Sequence, residues 1–106
     1  MAADEPSGAV DFAYLESFTA GDRQVISEVL ALFQQQAEAW VVALRAADPG
    51  WRDVVHTIKG ASRGVGANRL ADACERAEAQ GEGALPKVRE ALAQAMAEVA
   101  AYQARG

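Results

Sequence analysis

Apolar residues recur along this chain every three or four positions, in blocks separated by glycine and proline, a spacing that belongs to helices and not to strands. From Asp22 to about Ala47 the stripe Val25, Val29, Leu32, Phe33, Ala37, Trp40 and Leu44 follows the helical period, with Gln36 its one polar member, and Asp48-Pro49-Gly50 breaks it. A third helix is expected from about Trp51 to Gly64 or Val65, closed by Gly66. A fourth runs from about Asn68 to Gln80 with Leu70, Ala73, Cys74 and Ala77 on one side. Gly81-Glu82-Gly83 reads as a turn. Pro86 falls in the first turn of a last helix to about Ala104, whose seam is Leu85, Val88, Leu92, Met96 and Val99. Ahead of these, Asp11 is placed to cap a short helix carrying Phe12, Leu15 and Phe18 and stopped by Gly21.

Amphipathic helices with short connections pack most simply as an antiparallel up-down bundle. The expected fold is therefore all-α, a four-helix bundle with a short additional N-terminal helix over one end. Residues 1–10, with Pro6, Ser7 and Gly8, read as a disordered lead. Residues 11–106 read as a single domain.

Composition narrows the function more than the fold. A net charge of −5 without a basic stripe argues against nucleic acid as a partner. No apolar run approaches the ~20 residues of a membrane span, and Met1 to Ala9 lacks the apolar core of a signal peptide, so a cytoplasmic location is expected. Cys74 is the only cysteine, which suits a reducing compartment, and with a single histidine it excludes a zinc or iron site.

That histidine, His56, opens the run His56-Thr57-Ile58-Lys59-Gly60-Ala61-Ser62-Arg63-Gly64-Val65-Gly66-Ala67. At about 100° per residue, Trp51, Val54, Val55, Ile58, Ala61, Ser62 and Val65 form the core-facing arc, and His56 lies about 160° from its centre. Arg52, Lys59, Gly60 and Arg63 share its outward face. A core histidine is excluded by this geometry, which leaves an idle surface histidine or a working one. Gly60 favours the second. A mid-helix glycine costs about 1 kcal/mol relative to alanine, and here it bares the backbone beside the imidazole so that another protein can approach. Gly64 repeats the feature one turn later, where helix fraying is an equally good account. Lys59 makes the local field positive, which favours a neutral, nucleophilic imidazole, and offers a donor to phosphoryl oxygens. An ordinary solvated lysine is the bland alternative. Ser62 is expected to bond back to its own helix carbonyls, and Cys74 to pack as a small apolar residue.

The stretch His56-x-Ile58-Lys59-Gly60-x-Ser62-x-x-Val65-Gly66-Ala67-x-x-Leu70-x-x-x-Cys74-x-x-x-Glu78 resembles the signature of histidine-containing phosphotransfer domains, the carrier modules of two-component phosphorelays. The likeness reaches upstream through Phe33, Leu44, Ala47 and Asp48, and covers nearly the whole chain after residue 10. It implies a monomeric bundle whose His56 takes a phosphoryl group at Nε2 from a receiver-domain aspartate and passes it to another receiver. It further implies that Lys59 stabilises the phosphoryl oxygens, that Gly60 lets the receiver dock, and that Glu78 hydrogen-bonds the histidine Nδ1. On the helical wheel Glu78 flanks the seam of its helix, and Glu75 is the alternative should the register differ. Arg52 and Arg63 flank the histidine and are candidates to touch a receiver.

Response-regulator receivers or a hybrid histidine kinase are the implied partners. The chain needs no cofactor of its own, with Mg²⁺ expected in the receiver. It has no glycine-rich phosphate loop and no room for an ATP-binding domain, so it is no autonomous kinase. Two other readings stay open: phosphorylation directly by a separate histidine kinase, and a helical scaffold that only binds.

Overall fold

The computed structural model describes residues 8–45 and 49–105. Five α-helices form: α1 (Phe12–Phe18), α2 (Arg23–Arg45), α3 (Trp51–Val65), α4 (Asn68–Gln80) and α5 (Leu85–Arg105), with a 3₁₀ turn at Glu82–Ala84 before the last. Among the described residues there is no strand. Helix α2 packs on α3 and α5, α4 packs on the same two, and α1 rests on α3, which is the expected up-down bundle with its extra helix.

Local chemistry sets the boundaries. Asp11 Oδ1 accepts the Tyr14 N–H at 3.1 Å and caps α1. Ala20 and Gly21 both take positive φ (56° and 74°), which turns the chain sharply into Asp22. The Asp22 carboxylate then accepts the N–H groups of Gln24 and Val25, so Asp22 caps α2 and does not open it. At the end of α3, Gly66 adopts the left-handed conformation (φ 82°). The Gly66 N–H bonds Arg63 O and the Ala67 N–H bonds Ser62 O, closing the helix in a Schellman arrangement. Helix α3 stays helical through Gly64, one residue before its end at Val65.

The core differs from the expected stripe mainly in α2. Its buried residues are Ile26, Leu30, Phe33, Ala37, Trp40 and Leu44, while Val25, Leu32 and Gln36 are exposed. Apolar side chains cover more than one side of this helix, so periodicity admits two faces. The helix takes the one on which a residue repeats at steps of four and three without a polar member. Phe33 and Trp40 meet edge to face there, 5.7 Å between ring centroids. In α1 only Leu15 is buried, and Phe18 is the most exposed large apolar side chain among the described residues. In α5 Met96 is half-buried, with Ala91 and Ala95 completing the seam.

Ala9 and Val10, read from the sequence as part of a disordered lead, are buried, and their N–H groups bond the Glu98 carboxylate at 3.2 and 3.0 Å. The rest of that lead through Ser7, and the expected helix end at Ala47 with Asp48, lie outside the described residues. Ser62 is fully buried in α3 as foreseen, but its hydroxyl has no hydrogen-bond partner, so the expected bond back to the helix is not made.

Candidate functional site

Helix α3 presents His56 outward: its side chain is 73% exposed, while Val55 beside it and Ile58 two residues on are fully buried on the other side of the helix. Gly60 and Gly64 continue the same face. A Cβ built at either glycine meets nothing within 4 Å, so neither is required by packing inside the bundle.

Helix α4 runs beside α3 and brings Glu78 to the histidine. Glu78 Oε2 lies 3.1 Å from His56 Nδ1, and its other oxygen accepts from the Lys59 ammonium at 2.5 Å. One carboxylate thus holds both side chains. The register is settled by the neighbouring pair: Glu75 bonds Arg63 at 3.1 Å, one turn away and well in solvent, which leaves Glu78 for the histidine. The field at the imidazole is therefore not the purely positive one that Arg52, Lys59 and Arg63 suggest in sequence. Lys59 itself is only 19% exposed and lies along the groove between the helices, its charge met by Glu78.

Hydrogen bonding from Lys59 first, and from His56 second, holds the Glu78 carboxyl below the ordinary glutamate range. An ionised carboxylate at Nδ1 requires Nδ1 to carry the proton. In the neutral ring this leaves the lone pair on the outward Nε2. The arrangement is an exposed nitrogen nucleophile with its tautomer set from behind and a cation one turn away. Beneath it, Cys74 is fully buried in α4, and burial followed by the Glu78 charge pushes its thiol up to about 12, which makes it an inert packing residue.

Arg52 is exposed, yet its head group is held. Its Nη1 donates to the main-chain carbonyl of Glu78 at 3.1 Å, and its guanidinium lies over the Trp51 ring, 4.5 Å from the centroid. The sequence carries no sign of this bond, because its acceptor is a carbonyl that every residue possesses.

The comparisons with known proteins agree with this geometry. A family model described as Hpt domain matches residues 23–102, from the start of α2 to the last turn of α5, and includes the whole site. The chain belongs to the Hpt family, the histidine phosphotransfer proteins of phosphorelays. Among solved structures it is similar to the histidine phosphotransferase ShpA from Caulobacter crescentus, at 56% identity and a TM-score of 0.85, over 92% of this chain and 93% of that one. No curated protein matches the chain. Among the described residues no helix is long and apolar enough to cross a membrane.

Proposed function

We propose that His56 is the phosphoryl acceptor of this phosphotransfer protein and that its donors and acceptors are receiver-domain aspartates. The observation that carries the reading is the Glu78 bridge, which joins the outward imidazole to Lys59 through a single carboxylate. In the forward step the Nε2 lone pair attacks the phosphorus of an aspartyl phosphate. The P–N bond forms as the P–O bond to the aspartate breaks, and the aspartate leaves as a carboxylate. The Nδ1 proton stays in place, held by Glu78, so the ring can bear positive charge while the phosphoryl group is on it. The reverse sequence with a second receiver discharges the histidine.

The transition state is loose, and its need is charge stabilisation. Lys59 supplies part of this by swinging its flexible stem from Glu78 towards the phosphoryl oxygens, and Mg²⁺ in the receiver supplies the rest. Gly60 and Gly64 keep the surface beside His56 free of side chains, so a receiver can approach the backbone. Arg63, paired with Glu75 at the far end of this face, belongs to the rim of the docking surface. The domain works as a monomer, with the buried apolar face of each helix used within the bundle.

The test is phosphotransfer from a panel of receivers loaded with acetyl phosphate, read as acid-labile, base-stable phosphate on this chain. Wild type should take up the label and His56→Gln should take up none while keeping its helical circular dichroism. Label retained in His56→Gln would overturn the assignment. Uptake from a kinase and ATP, with none from any receiver, would make the kinase the donor.

A further inference from the structure

We propose that Arg52 is a positioning residue for the histidine, acting through the backbone of Glu78 and not through contact with a receiver. The inference rests on the reading of His56 and Glu78 given above.

Helix α4 ends two residues after Glu78, and the Gly81 N–H closes on the carbonyl of Ala77. Glu78 O is thus one of the four carbonyls that a helix end leaves without an intrahelical donor. Arg52 supplies that donor from the neighbouring helix, and its positive charge suits a helix C-terminus. Trp51, only 8% exposed, is anchored in the core, and its ring gives the guanidinium a fixed seat. The planar fork is the part of arginine that makes such a seat and such a bond together.

The consequence falls on the carboxylate. The Glu78 side chain spans from the last turn of α4 to Nδ1 and to Lys59, and among the hydrogen bonds of the described residues Arg52 is the one that ties the main chain of that turn to α3. Releasing Arg52 frees the turn to move by part of an ångström, enough to lengthen the 3.1 Å contact that sets the tautomer. Arg52 precedes His56 by one turn on the same helix face, so the link is short: Trp51 seats Arg52, Arg52 holds the Glu78 backbone, and Glu78 holds the ring.

The experiment compares wild type with Arg52→Met, Arg52→Gln and Arg52→Lys. ¹⁵N NMR of the imidazole in the free protein reads the tautomer, and transfer from a saturating phosphorylated receiver reads the maximal rate. Arg52→Met and Arg52→Gln should lower the Nδ1–H population and slow maximal transfer about three- to tenfold, less than the ~10²-fold that a 1 Å misplacement can cost. Arg52→Lys, which keeps a donor, should recover part of both.

An unchanged tautomer in folded Arg52→Met and Arg52→Gln would overturn the proposal, as would an altered tautomer with an unchanged maximal rate. A rise in KM for the receiver alone would return Arg52 to the docking surface. Absence of uptake by wild type would count against the phosphoryl-acceptor reading instead, and the tautomer comparison would still decide what Arg52 does.

Discussion

Gly60 shows how a residue can be wrong for its element and right for the molecule. It sits mid-helix with open space where its Cβ would be, so the fold gains nothing from the missing side chain. Gly66 is the contrast: its φ is 82° and a Cβ there would stand 2.8 Å from the Asp11 carbonyl oxygen, so glycine is required. Gly60→Ala is expected to stabilise the domain by about 1 kcal/mol, the helix-propensity difference, and to raise Tm by about 5 °C. Transfer from a phosphorylated receiver should slow in the same variant. Thermal melts and single-turnover transfer check the two halves separately, and a lower Tm would mean that the glycine serves the fold.

At the scale of elements, the pairing of α3 with α4 makes the site. Arg52 bonds Glu78 O, the Glu78 carboxylate bonds His56 and Lys59, and Arg63 bonds Glu75, three polar rungs beside an apolar seam. The last is a solvated pair worth about 0–1 kcal/mol. The middle rung is pH-dependent. Glu78 titrates below its ordinary value of 4.5 in the folded chain, so between the two values the unfolded state binds more protons. Its contribution is complete above 4.5 and is lost as pH falls through the lower folded value. Melting wild type and Glu78→Gln from about pH 5 downwards should give a Tm difference that shrinks as pH falls. A difference independent of pH would show that the charge of Glu78 does not hold the helices together.

The whole molecule separates its chemistry from its fastening. His56 lies near the start of α3, while the N-terminal segment closes on the other end, about 15 Å away along the helix. There the Asp11 N–H bonds Gly66 O at 2.8 Å, Phe12 stacks on Tyr102 at 4.2 Å, and Glu98 receives the N–H groups of Ala9 and Val10. Tyr102 also donates to Glu16 at 2.7 Å, so α1 is tied to α5 along its length. Glu98→Ala strands two partly buried donors and should cost about 2 kcal/mol. Urea unfolding should register that loss while the rate of phosphotransfer stays at the wild-type value. A drop in transfer without a drop in stability would connect the N-terminal segment to the site.

Helix identity, helix order and the outward position of His56 were legible in the sequence because each depends on local spacing: a period of 3.6, a cap, a glycine with positive φ. The motif residues from His56 to Glu78 were legible through their resemblance to the phosphotransfer signature, and they lie on two adjacent helices joined by the Gly66-Ala67 turn. Contacts between helices were not. The face that α2 buries is a mixed case: the repeat Ile26, Leu30, Phe33, Ala37, Trp40 and Leu44 runs without a polar member, the stripe through Val25 and Leu32 includes Gln36, and packing on α3 and α5 takes the unbroken one. The resemblance named Glu78 for the imidazole with Glu75 as the alternative, and the rotation of α4 against α3 decides for Glu78; the outward turn of Phe18 depends on how α1 rests on the bundle. The bond from Arg52 ends on a backbone carbonyl, and those from Ala9 and Val10 begin at backbone N–H groups, which no residue type marks. Periodicity along one helix determines its own faces; only packing decides which atoms of two helices come within a hydrogen bond of each other.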